Sequence, residues 1–176
     1  GSFYNTSKQS CELLIANYKK IYNVDYTILR FGSLYGKRAN NFNSINTFIN
    51  QALLENKIER EGDGNDKREY INVLDAAQAS VKALDKSYAC SCFLVAGQEK
   101  LTIREVLDTI NEIFGNKIVI TYKGSGSEEH YKLTPYTFRP MTAIKITLDK
   151  YHDFGQGIVD VIYELNDEHN NLDKKK

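Results

Sequence analysis

The sequence predicts an α/β fold with some parallel sheet, and three observations carry that prediction. Helical and strand-like periodicities alternate along the chain, the strand-like runs are short and apolar, and glycines or capping residues mark the boundaries. Short apolar runs suit strands covered on both faces, the situation parallel strands meet between layers of helices.

Residues Asn5 to Tyr22 place Leu14, Ile15, Tyr18 and Ile21 at helical spacing, which gives that helix an apolar stripe. "DYTILRFGSLYG" (25–36) follows as a buried strand ending in a glycine-marked turn. "NSINTFINQALLENK" (43–57) is helical again, and "EREGDGNDKREYINV" (59–73) reads as a loop with a short strand at its end. Asp75 is placed to cap a helix through about Lys86, and "CSCFLVAG" (90–97) is a second buried strand closed by Gly97. Thr102 with Glu105 three residues later forms a capping box for a helix that runs to Phe114 and stops at Gly115. "KIVITYK" (117–123) is a strand, "GSGSEEHYKLTPYTFRP" (124–140) a long loop, and "FGQGIVDVIYELN" (154–166) an amphipathic helix. The polar tail from Asp167 to Lys176 is expected to be disordered.

A chain of 176 residues buries one sizeable core. Its 23 basic and 23 acidic residues create no field for nucleic acid or an anionic membrane. No apolar run approaches the ~20 residues that span a bilayer. Cys11, Cys90 and Cys92 are an odd set without metal-ligand spacing, as expected of reduced thiols in a cytoplasmic protein. No metal site is expected: "GDGND" matches a calcium loop for five residues but lacks its remaining ligands, so it reads as a turn. His130 and His152 have no partner at triad or metal spacing and His169 lies in the polar tail, so all three are expected to be solvated.

Tyr4 and Lys8 stand one helical turn apart in "YNTSK". A phenol titrates near pH 10 and serves as a base at neutral pH only if something stabilises its anion. An ammonium one turn away is such a group. With 12 tyrosines in the chain the pair also arises by accident, leaving two residues on a solvated helix face.

Further segments decide between these readings. Tyr4 to Lys8, "LRFGSLYG" (29–36), "REYINVLDAA" (68–77) and "CFLVAGQEKLTIREV" (92–106) occur in an order that resembles the C-terminal part of the NAD-dependent epimerase/dehydratase family, extended short-chain dehydrogenase/reductases that remodel nucleotide sugars. The likeness covers about residues 3 to 110 and loosens beyond Lys117. It implies the end of a Rossmann-type domain with its catalytic helix (1–40), a substrate-binding segment (41–69), a return to the Rossmann-type core (70–97), a smaller α/β substrate-binding domain (98–166) and a polar tail (167–176).

The resemblance implies that Tyr4 exchanges a proton with a sugar hydroxyl while Lys8 supports it and bonds the cofactor ribose. It also implies that Arg68 grips the nucleotide diphosphate through its planar fork. Read from neighbours alone, Arg68 pairs at the surface with Asp63, Asp66 or Glu69. Ser33 either donates to a phosphate oxygen or closes the turn after its strand. Arg139, in "YTFRPM", is by a looser match a second phosphate clamp. Tyr35 and Tyr70 are expected to pack between layers.

The chain departs from the family pattern in four places. It contains no G-x-x-G-x-x-G turn to receive a cofactor pyrophosphate, and no serine or threonine some two dozen residues before Tyr4. Ser33 replaces the usual asparagine, and Asn72 a common histidine. The expectation is therefore a fragment of a longer enzyme. The complete enzyme would use NAD or NADP and a nucleoside-diphosphate sugar; the fragment alone would bind neither NAD(H) nor NADP(H) and show no turnover. It is expected to form a homo-oligomer, a dimer built partly through the first helix. Epimerisation, dehydration and reduction stay open at this point. The alternative is a non-catalytic module that binds a sugar nucleotide or a partner protein.

Overall fold

A long amphipathic helix, α1 (Phe3–Tyr22), opens the fold in a computed structural model that describes residues 3–124 and 144–173. It ends where Asn23 takes a left-handed φ of 53° and returns its N–H to Lys19. Residues 23–26 then lead into β1 (Thr27–Phe31), so helix and strand run antiparallel. Lys19 bonds Asp25 at 2.6 Å across this link. Glu12 receives both prongs of Arg30, at 2.8 and 2.6 Å, and fastens the middle of α1 to β1.

Among the described residues the strands form three small sheets. β1 pairs in parallel with β5 (Ser91–Val95), which pairs in parallel with β8 (Ile144–Lys145). β2 (Ser33–Tyr35) pairs in parallel with β4 (Lys67–Asn72), whose other edge takes β6 (Lys100–Thr102) antiparallel. β3 (Lys57–Glu61) and β7 (Val119–Lys123) form a parallel pair. The helices α2 (Ser44–Glu55), α4 (Ile103–Ile113) and α5 (Phe154–Asp173) pack over the last two sheets around Ile45, Ile49, Ile58, Leu107, Ile110 and Ile158. α3 (Val73–Lys82) packs a second, smaller core against β5 through Ala76, Ala79, Phe93 and Val95. Helices and parallel strands thus alternate as the sequence predicts.

Several local expectations need correction. The strand read over 25–36 is divided at Gly32, because the chain crosses β4 so closely there that a Cβ would stand 2.4 Å from the Glu69 carbonyl oxygen. β3 (57–61) is a strand where the helix was expected to reach Lys57 and a loop to begin at Glu59; only pairing with β7, which buries Ile58 completely, makes this charged run extended. Asn72, not Asp75, caps α3 by accepting the Leu74 N–H at 2.9 Å, and the helix ends at Lys82. The capping box of Thr102 and Glu105 forms as read, at 3.1 and 2.7 Å. α5 continues through residues 167–173, where disorder was expected, and His169 bonds Asn50 at 2.9 Å instead of facing solvent alone. "GDGND" is a turn, with Asp63 accepting the Asn65 N–H at 2.9 Å.

Candidate active site

The Glu12–Arg30 contact sets the geometry of the predicted site. Tyr4 lies two turns, roughly 12 Å, up the helix from Glu12, and Ser33 lies roughly 10 Å past Arg30. Both therefore stand beyond the C-terminal end of β1, the end at which ligands bind open α/β sheets. Tyr4 is 66% exposed, and the Lys8 ammonium sits 5.4 Å from its ring centroid. The cation lies over the ring, and the Ser7 hydroxyl donates to the Tyr4 carbonyl at 2.7 Å.

Ser33 and Arg68 meet on one sheet face. Ser33 is in register with Tyr70, and Arg68 precedes Tyr70 by two residues, the strand period. Arg68 is half-buried and donates to the Lys67 carbonyl at 3.0 Å. Among the nearby carboxylates, Asp66 meets Arg60, Glu69 meets Lys100, and Asp63 accepts from Asn65. Tyr35 and Tyr70 pack between layers as expected, with Phe154 at 5.0 and 5.6 Å from their ring centroids. Burial pushes both phenols up to about 12, so neither serves as a base at neutral pH. Arg139 and His130 lie outside the described residues.

A cavity of about 250 Å³ opens elsewhere, at the far ends of β2 and β4, lined by Tyr35, Asn72, Asp75, His152 and Phe154 among others. Within it His152 is not simply solvated. Its Nδ1 lies 2.6 Å from the Asp75 carboxylate and its backbone N–H donates to the other carboxylate oxygen at 3.0 Å. No local spacing announces a partnership between residues so far apart in the chain; only the packing of α3 against the approach to α5 makes it. Among the described residues, no group of three or more His, Cys, Asp or Glu side chains is placed to hold a metal ion. No described helix is long and apolar enough to cross a membrane, and Cys11, Cys90 and Cys92 are free thiols.

Comparison with known proteins gives the class. The model of the NAD dependent epimerase/dehydratase family matches residues 1–91, more than half of the chain, and the chain belongs to that family. A putative UDP-glucose 4-epimerase of Methanocaldococcus jannaschii is 27% identical over 133 residues, covering 74% of this chain and 43% of the relative. A UDP-glucuronate 4-epimerase of Thermodesulfobacterium geofontis is 25% identical over 114 residues, 65% of this chain and 35% of its own. Among solved structures, the UDP-N-acetylglucosamine 4-epimerase of Methanobrevibacter ruminantium superposes with a TM-score of 0.79 at 22% identity, over 94% of this chain and 54% of that one. The UDP-glucuronic acid 4-epimerase of Bacillus cereus, in complex with UDP-glucuronic acid and NAD, gives 0.77 at 23% identity, over 93% and 52%. The fold is that of the extended short-chain dehydrogenase/reductases, and the chain spans less than half the length of these curated relatives.

Proposed function

We propose that this chain is the catalytic-helix and substrate-binding portion of an NAD(P)-dependent nucleotide-sugar epimerase or dehydratase. The reading is supported by two arrangements: Tyr4 and Lys8 share one turn of α1, which the Glu12–Arg30 clasp ties to β1, and Ser33 and Arg68 share a face of the β2–β4 sheet. Exposed Tyr4 has room for a sugar hydroxyl with which to exchange a proton, and the Lys8 ammonium stands over its ring one turn away. Arg68 and Ser33 orient the nucleotide diphosphate, with Arg139 as a second clamp.

The nicotinamide cofactor, when bound, supplies a hydride acceptor and donor at the sugar carbon. The residues present fit part of it: the Lys8 ammonium is exposed beside Tyr4 and free to reach a ribose hydroxyl, whereas the sequence contains no glycine-rich turn for the pyrophosphate. The chain by itself is therefore expected to bind no NAD(H) or NADP(H) and to turn over no sugar nucleotide. We place the protein in the cytoplasm, in keeping with its free thiols, and assign it a homodimer through the uncovered face of α1.

Steady-state kinetics of Tyr4→Phe in an enzyme that joins this chain to a glycine-rich dinucleotide-binding half tests the catalytic assignment. Turnover is expected to fall roughly 10²- to 10⁴-fold with cofactor affinity little changed. Activity within a few-fold of wild type would return Tyr4 to an ordinary helix face.

A further inference from the structure

The cavity at the far ends of β2 and β4 has an oriented histidine in its wall. Asp75 is 2% exposed and accepts two bonds from His152, from Nδ1 at 2.6 Å and from the backbone N–H at 3.0 Å. A carboxylate accepts and does not donate, so the proton of the first contact sits on Nδ1, and the neutral ring then presents a lone pair at Nε2. Nε2 has no hydrogen-bond partner among the described residues, and the side chain is 36% exposed. Buried Asp75 thus fixes the tautomer and leaves an acceptor open to a ligand.

The walls around that acceptor are aromatic and acidic. Tyr35, Tyr70, Tyr151 and Phe154 line the cavity, and the Phe154 ring lies 5.0 and 5.6 Å from those of Tyr35 and Tyr70. The Asn72 amide engages the Tyr35 hydroxyl, and the Tyr151 hydroxyl accepts the Leu148 N–H at 3.2 Å. Glu99 and Asp153 complete the charged lining with Asp75 and His152, and no lysine or arginine is among the lining residues. Asp153 accepts the Gln156 N–H at 2.8 Å through one oxygen, and Glu99 has no ion pair among the described residues. Lys145, outside this lining, donates to the Gly97 carbonyl. Carboxylates in a partly enclosed space hold a negative potential, and the faces of aromatic rings carry the same sign. Both attract a cation and repel an anion. At about 250 Å³ the cavity falls below the roughly 300–1,000 Å³ of pockets for drug-sized ligands, so its occupant is a small molecule.

We infer that this cavity binds a small organic amine as its ammonium, which donates to Nε2 of His152 and to the carboxylates of Glu99 and Asp153. The apolar body of the amine lies against the rings of Tyr35, Tyr70, Tyr151 and Phe154. An ammonium has three donors, which matches three acceptors on different elements. The aromatic faces select an organic cation over a bare metal ion, for which no cluster of three ligands is placed among the described residues. The site uses none of Tyr4, Lys8, Ser33 and Arg68, so it stands or falls apart from the reading of those residues.

Proton NMR and calorimetric titration of the 176-residue chain with benzylamine, benzyl alcohol and benzoate test the inference, because the three share a ring and differ in charge. Benzylamine is expected to saturate at millimolar concentration or below, benzyl alcohol to bind about tenfold or more weakly, and benzoate not to bind. Of the three histidines, His130, His152 and His169, only the ring of His152 should shift with bound amine. His152→Asn keeps a donor for Asp75 and removes Nε2, and should weaken benzylamine about tenfold. Glu99→Gln, at an exposed position, should weaken it several-fold with the melting temperature unchanged, and it serves where His152→Asn does not fold. The assignment is overturned by benzyl alcohol or benzoate binding as tightly as benzylamine, or by a His152 ring that stays in place while the amine binds. Wild-type affinity in His152→Asn or Glu99→Gln, or no saturation by millimolar benzylamine, overturns it equally.

Discussion

Nδ1 of His152 lies 2.6 Å from the carboxylate of Asp75, which is 2% exposed and also accepts the His152 backbone N–H at 3.0 Å. The pair clasps α3 to the run that enters α5, so it joins the element following β4 to the last helix of the fold. His152→Ala leaves the buried carboxylate with the backbone bond alone. We expect it to cost about 1.5–3 kcal/mol, the range for a hydrogen bond to a charged group. Asp75→Ala should cost at least as much, since it strips both donors of their acceptor. Urea unfolding measures both, and a change under ~0.5 kcal/mol for His152→Ala would mark the contact as incidental.

Lys123 and Lys57 both donate to Glu59 where β3 pairs with β7, and they hold its carboxyl down at about 2, from an ordinary 4.5. A carboxylate depressed in the folded state stabilises the fold fully above its unfolded value and loses that contribution as pH falls through the folded one. The melting temperature of the wild type should therefore drop between about pH 4.5 and pH 2 by more than that of Glu59→Gln. Added salt should narrow the difference, because these charges are open to solvent. Parallel acid-melting curves for the two proteins reverse the assignment of this clasp.

Gly97 and Gly32 grip the backbone of β4 from two sides. A Cβ at Gly97 would stand 2.0 Å from the Tyr70 carbonyl oxygen, and one at Gly32 would stand 2.4 Å from that of Glu69. The Gly97 N–H also bonds the Tyr70 carbonyl at 3.0 Å. Neither carbonyl can retreat without moving the strand that carries Arg68. Gly97→Ala is expected to cost about 3 kcal/mol or more and Gly32→Ala somewhat less. Gly124→Ala, where a Cβ meets nothing within 4 Å, should stay within about 0.5 kcal/mol. Guanidinium unfolding of the three variants checks the order; a harmless Gly97→Ala would contradict the close approach.

The helix that carries Tyr4 and Lys8 buries none of its residues, and Leu14, Tyr18 and Ile21 are 58%, 60% and 71% exposed. An apolar stripe of this kind is covered in a stable assembly. We expect light scattering to report a dimer for the chain and a monomer for the double variant Leu14→Glu, Tyr18→Glu. A monomeric wild type removes the association proposed through α1.

The sequence by itself determined the features that depend on neighbours within one or two turns, and also the order of its motifs. The capping box of Thr102 and Glu105, the amphipathic period of α1, the stop at Gly115 and the one-turn spacing of Tyr4 and Lys8 are interactions between residues three or four apart, which a linear pattern records directly. The order of "YNTSK", "LRFGSLYG" and "REYINVLDAA" identified the family for the same reason, since each is a local turn or strand with its own chemistry. Only the tertiary structure decided that Ser33 and Arg68 share a sheet face, that the charged run 57–61 is a strand, that His152 belongs to Asp75, and that the Arg60 Nε and the Tyr70 hydroxyl are buried with no hydrogen-bond partner among the described residues. Parallel pairing brings together residues separated by long crossovers, and burial then sets what each polar group must find as a partner. Spacing along the chain contains neither of these quantities.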